Sequence, residues 1–225
     1  MAEAANPEGN SLYRLGGTCA ATIAVAYLIT IPLYAAVGAP PTGDGETWLN
    51  YLAGKTTGWW VILGLSVLTD LLFVPVAFSL YFALRRVNRT ALLVATALVF
   101  LFVALDLAVT WANYGALIVL ANHYASAATP AKRLADAAAA NYPAAILSSR
   151  LEAVYAIVIL SIGILITGLV MLRSVFNRPT AYVAVAIGVL GIATLTGSGL
   201  AVILNAVATI IWLFLVSYRL YRFAD

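Results

Sequence analysis

From Thr180 to Ser217 the chain carries no charged side chain. A single helix over that run would be nearly 60 Å long at about 1.5 Å per residue, whereas the hydrocarbon core of a bilayer is only about 30 Å thick. The run therefore divides into two crossings, 180–196 and 200–218, with Thr196-Gly197-Ser198-Gly199 as the turn between them. Four earlier apolar runs, at about 15–37, 58–84, 91–121 and 149–172, are long enough to cross as well. Soluble domains are about one quarter charged. Here 9% of residues are charged and 64% are hydrophobic, more apolar surface than one globular core can bury. The expected fold class is an all-α polytopic transmembrane helix bundle of six spans, with residues 1–225 forming a single transmembrane domain.

The first run follows Arg14 and ends in small residues, as a signal peptide does. Its length exceeds the roughly 7–15 residues of a signal h-region, so it reads as a span, preceded by a short mobile tail over residues 1–13. Charge sets the direction. With the N-terminus inside, Arg14, Arg85, Arg86, Arg89, Arg173, Arg178, Arg219 and Arg222 fall on the cytoplasmic side, and Lys55, Lys132, Arg133 and Arg150 fall outside. This satisfies the positive-inside rule with both termini cytoplasmic, and the expected location is a bacterial or archaeal cytoplasmic membrane. Trp59 and Trp60 open the second span as interface anchors, and Tyr218 and Tyr221 close the last one. Trp48, Tyr51 and Leu52 suggest a short interfacial helix in the first outer loop. Thr129-Pro130 reads as an N-cap followed by proline at the first helical position, giving a surface helix over 130–140.

Acids inside spans are costly, and each is by default a candidate site. Asp70 precedes Leu84 by 14 residues and Asp106 follows Ala91 by 15, so both lie about 21–22 Å from the cytoplasmic edge. Asn205, on the last span, lies at the same depth. Spans two and three form a hairpin, so the two aspartates are expected to meet; two carboxylates sharing a site resist double ionisation. Helical spacing places Asp106, Thr110 and Asn113 on one face, Ser66 and Asp70 on another, and Glu152 and Tyr155 on a third. The expected ligand-binding set is Asp70, Asp106, Thr110, Asn113, Glu152, Tyr155 and Asn205, lining a polar layer in the outer half of the bundle as a vestibule open to the outside. The alternative for all of them is interhelical glue, which contributes about 0.6 kcal/mol per interaction on average in membranes.

Catalytic templates find little to match. His123 is the only histidine, which removes multi-histidine metal sites, and no HExxH, CxxC or GxSxG motif is present. The lone Cys19 sits within the first span and reads as a small apolar filler. The net charge of +3 comes from residues at the ends of apolar runs, not from a soluble basic patch, so nucleic acid is not an expected partner. Trp111 and Trp212 lie deep within spans, where packing is the default role.

The stretches LYFALRRVNRTALLVATAL (residues 80–98) and GILITGLVMLRSVFNRPTAYVAVAIGVLGI (residues 163–192) resemble a family of uncharacterised bacterial multi-span integral membrane proteins, known as a domain of unknown function. In the second stretch a span ends on a basic residue and is followed by a proline and a glycine-bearing span. The resemblance implies a six-to-seven-span architecture and supplies no activity or site residues.

The leading functional expectation is a non-enzymatic membrane protein that binds or transports a small or lipidic ligand through an outward-facing polar cavity. The bilayer is its surrounding partner, no cofactor or metal is expected, and the oligomeric state is open. One alternative is a structural or interaction subunit without ligand. The other is an intramembrane enzyme using its buried carboxylates.

Overall fold

The computed structural model describes residues 7–174 and 176–224. The fold is 90% helix, and the described residues hold no strand. The first helix, α1, runs Pro7–Val37, so the part of the expected tail from residue 7 onward is helical; residues 1–6 lie outside the described residues. A short α2 follows at Gly45–Leu52. The longest helix, α3, runs Thr56–Leu105 and continues through a π segment, Asp106–Trp111, into α4, Ala112–Ser126. Then come α5, Pro130–Leu147, and α6, Arg150–Ala153, which passes through a second π segment, Val154–Val158, into α7, Ile159–Met171. The last two long helices are α8, Arg178–Ala193, and α9, Gly199–Ala224.

Five helical stretches are long and apolar enough to cross a membrane: Asn10–Val37, Thr56–Ser126, Arg150–Met171, Arg178–Thr196 and Gly199–Ala224. The second of these has 71 residues and would measure about 107 Å if straight. It is not straight. Asn88 has extended backbone (φ −156°, ψ 91°), and its Oδ1 accepts a hydrogen bond from the Ala91 N–H at 3.0 Å. Asn88 thus caps a new helix where the first one ends. The two arms fold back on each other, since Phe78 meets Phe100 and Phe73 meets Phe102 at centroid distances of 5.2 and 5.9 Å. At the far end of the chain, α8 closes with a 3₁₀ turn at Thr194–Thr196, and Gly197 takes a left-handed φ of 80°. The glycine reverses the uncharged run at a position where a side chain would be strained.

Around the bundle, α1 packs on α3 and α9, α7 on α3 and α8, and α8 on α9. Where α7 meets α8, a Cβ added to Gly168 would lie 2.6 Å from Ala184 Cβ, so small residues let the two backbones approach closely. Large apolar side chains such as Leu28, Leu71, Leu101, Leu169, Val189 and Ile203 point outward and are exposed. A soluble monomer rarely exposes so continuous an apolar surface, whereas lipid tails would cover it at no cost.

Charge distinguishes the two ends. Arg85, Arg86 and Arg89 flank the Asn88 break, and Arg173, Arg178, Arg219 and Arg222 lie at helix ends on the same side. The other end is covered by α2 and α5. Asp44 caps α2 by accepting from the Thr47 N–H at 2.9 Å. Thr129 caps α5 with proline at the first position, as the sequence indicates, although α5 runs on to Leu147 instead of stopping near 140. Gly45 N–H donates to Asn141 Oδ1 at 2.9 Å, and Trp48 Nε1–H donates to Ser148 Oγ at 3.2 Å. The two short helices therefore close down on each other and on α4, burying Trp48, Leu49, Leu52, Leu117, Ile118, Ala140 and Ala144. The expected vestibule would therefore lie beneath this covered end. The same packing moves Trp48 and Leu52 from a headgroup position to the protein interior. Trp59, expected as an interface anchor, is likewise fully buried, while its neighbour Trp60 is 44% exposed.

Candidate functional site

Beneath that cap the hairpin of α3 and α4 brings Asp70 and Asp106 together. The indole Nε1–H of Trp111 donates to Asp70 Oδ2 at 2.9 Å and to Asp106 Oδ2 at 3.2 Å. Both carboxylates are 3% exposed, and each comes from a different arm of the hairpin.

The π segment explains how Trp111 reaches Asp106. The two residues are five apart. In a regular α-helix a side chain five positions on points about 140° away around the axis. A π turn closes its hydrogen bonds from i to i+5 and stacks those positions instead. Local widening of the helix over Asp106–Trp111 thus aims one N–H at two acids. It also leaves polar atoms over. Asp106 Oδ1 and Thr110 Oγ1 are buried without a hydrogen-bond partner, and Thr110 is 1% exposed. An orphaned buried polar group costs about 1–3 kcal/mol, so two of them four residues apart on one helical segment favour an occupant.

The second π segment, Val154–Val158, packs against the first. It carries Tyr155, which is half-buried. Glu152 lies one turn earlier, half-buried, and acts electrostatically on Asp106, Tyr34 and Tyr114. No hydrogen bond joins Glu152 to the aspartate pair among the described residues. Toward the capped end the layer is walled by rings: Trp111 against Tyr114 (centroids 5.5 Å apart), Tyr114 stacked on Trp59 (4.8 Å) and Trp59 edge-on to Tyr34 (5.6 Å).

Other expected members of the site lie apart from the pair. Asn113 donates from Nδ2 to the Val109 carbonyl of its own helix at 2.6 Å, which occupies its amide locally. Asn205 shares the expected depth of the aspartates but not their position around the bundle. Its Nδ2 donates to Ser161 Oγ at 3.2 Å and to the Ile187 carbonyl at 2.9 Å, tying α9 to α7 and α8. The same residue borders a separate cavity of about 160 Å³, whose lining also includes Tyr27, Ser161, Val202 and Thr209.

Two components of the site were not assigned from the sequence. Trp111, assigned there to packing, is the shared donor, and Tyr114 is the ring beside it. The signal that identifies Trp111 is its i+5 spacing from Asp106, which carries meaning only once the helix is known to widen there. Comparison of the chain with family models, with curated proteins and with solved structures finds no match in any of the three.

Proposed function

We propose that this is a six-span protein of a bacterial or archaeal cytoplasmic membrane, with both termini in the cytoplasm, that binds a small ligand at the Asp70–Trp111–Asp106 layer. The observation that carries the ligand reading is the combination of two buried acids sharing one donor with two further buried oxygens that have no partner. Ionisable groups inside a membrane domain mark functional pathways more often than glue. Rings fill the space beside the pair, which favours a small occupant over a lipid-sized or substrate-sized one. The capped end would face outward, so a ligand arriving from outside would enter by movement of α2 against α5. The six-span count rests on the break at Asn88, and the orientation rests on the gathering of arginines at the opposite end. The likeness of residues 80–98 and 163–192 to an uncharacterised bacterial family belongs to the same proposal and bears on architecture alone.

A structural reading has one specific observation in its favour: the Asn205 Nδ2 ties α9 to α7 and α8. Neutral substitution separates the readings. Purified full-length protein is screened against small-molecule panels by thermal shift, alongside Asp70→Asn and Asp106→Asn. Compounds that stabilise the parent chain but neither variant support the ligand site. If every stabilising compound acts equally on all three proteins, the aspartates only fix helix register. Orientation is checked in a Cys19→Ser background. A membrane-impermeant maleimide should label Ala128→Cys in intact cells but leave Arg89→Cys unlabelled, and the reverse pattern rejects the assigned direction.

A further inference from the structure

We propose that Asp106 Oδ1 and Thr110 Oγ1 bind a monovalent alkali cation of the sodium class, with Asp70 supplying the second carboxylate. The proposal rests on the reading of this layer as a small-ligand site and names the ligand's chemistry.

The first argument is charge. The chain's 12 lysines and arginines fall at positions 14, 55, 85, 86, 89, 132, 133, 150, 173, 178, 219 and 222; the three on the stretch that carries the pair, Arg85, Arg86 and Arg89, flank its break at Asn88, at least 15 residues along the chain from either aspartate. Trp111 offers a neutral N–H to both acids. The groups around the pair add no positive charge: Glu152 is acidic, and Tyr27, Tyr34 and Tyr114 are phenols. Negative charge in this layer has no fixed protein cation to balance it, so balance must come from an exchangeable ion or from protons.

The second argument is the unpartnered oxygens. The hydroxyl of Thr110 and one oxygen of Asp106 are both more than nine-tenths buried; the two side chains lie near enough to interact, yet neither atom completes a well-aligned hydrogen bond. They lie four residues apart in a segment whose π turn stacks i with the positions four and five further on. A water molecule could bridge them but would bring no charge; a cation satisfies both oxygens and the charge together.

The third argument is donor type. Carboxylate and hydroxyl oxygens suit hard cations, and no nitrogen or sulfur ligand is at hand: Cys19 lies in α1 against the core, and His123 is in the last turn of α4. Calcium takes 6–8 oxygens, and magnesium keeps several waters in an octahedral shell. Two carboxylates and one hydroxyl supply at most five oxygens, fewer than either shell. A monovalent ion with few ligands is the better fit.

The test uses the full-length protein in detergent or nanodiscs, with choline chloride exchanged for sodium chloride at constant ionic strength. Sodium should raise Tm along a saturating curve, by about 5–11 °C at 100 times the half-saturating concentration, and choline should not. Thr110→Val should raise the half-saturating concentration at least tenfold, and Thr110→Ser should restore it. Asp106→Asn should abolish the response; if that variant fails to fold, the Thr110 pair decides alone. Equal effects of sodium and choline from about pH 6 to pH 9 would overturn the proposal and assign the two oxygens to water or protons. A response confined to divalent ions would overturn it too, as would a Thr110→Val variant that titrates like the parent. Failure here leaves the small-ligand reading to its own test, which fails only if Asp70→Asn and Asp106→Asn prove indifferent to every ligand.

Discussion

Replacing Trp111 with phenylalanine keeps a ring against Tyr114, now 5.5 Å between centroids, but deletes the N–H that Asp70 and Asp106 share at 2.9 and 3.2 Å. Hydrogen bonds to charged groups contribute about 1.5–3 kcal/mol in soluble proteins, whereas interhelical polar contacts in membranes average about 0.6 kcal/mol. One donor serving two buried acceptors falls between these figures, so a loss of about 2 kcal/mol is expected. For a chain of this size about 2–4 °C of Tm accompanies each kcal/mol, giving a drop of about 4–8 °C. Trp60→Phe is the control, because Trp60 is exposed and surface changes stay within about 0.5 kcal/mol. A double-mutant cycle with Asp70→Leu should show coupling of about 1 kcal/mol, as contacting residues do. Thermal unfolding followed by circular dichroism reads all five proteins: the parent, the two single variants of the cycle, their double variant and the control. If Trp111→Phe and Trp60→Phe shift Tm equally, or the coupling is below about 0.3 kcal/mol, the indole does not join the two acids and the site as described is wrong.

The cap makes two further predictions. A Cβ at Gly45 would collide with the Ala137 carbonyl and come within 2.7 Å of the Asn141 nitrogen, both α5 backbone. Gly45→Ala should therefore push α2 off α5, cost about 1–3 kcal/mol as overpacking does, and expose Trp48 to aqueous quenchers; an unchanged quenching constant refutes the tight contact. Asp44, the α2 cap, is held below the usual carboxylate range by the Thr47 hydroxyl and the Thr47 N–H. A depressed folded-state value means that its contribution is present above the unfolded-state value and is lost as pH falls through the folded one, so hydrogen-exchange protection factors at the start of α2, taken relative to the intrinsic rate at each pH, should fall below about pH 4. Asp44→Asn keeps an N-capping residue without the titrating charge and should flatten that dependence; an identical acid profile in both proteins would show that the cap bond does not control the helix end.

The long apolar helices were legible because their causes lie in the sequence. Uncharged length set the turn at Gly197, the arginines around Asn88 marked a break in what is otherwise one apolar stretch, and Thr129-Pro130 announced α5. Counting residues from the arginine clusters gives an expected depth along the membrane normal. Position around the bundle is a different coordinate, and no count along the chain supplies it. Hence Asn205 shares the aspartates' expected depth yet turns to Ser161 and Ile187. The π segment was hidden for a related reason. A 3.6-residue period places Asp106, Thr110 and Asn113 on one face; local widening brings Trp111 over Asp106 and leaves Asn113 bonded to its own backbone. Trp59 and Trp60 differ by one helical step. Which of them faces inward depends on the seat of α2, whose burial comes from α5, far along the chain.

The most direct measurement is a density map of the full-length protein in lipid nanodiscs, at a resolution that shows single waters and ions, recorded in sodium and again in choline. The account predicts a peak in sodium within coordinating reach of Asp106 Oδ1 and Thr110 Oγ1, with Trp111 bridging the two carboxylates, and its weakening in choline. A Thr110 hydroxyl bonded back to its own helix, with no peak beside it and Asp70 turned away from Trp111, would contradict the account.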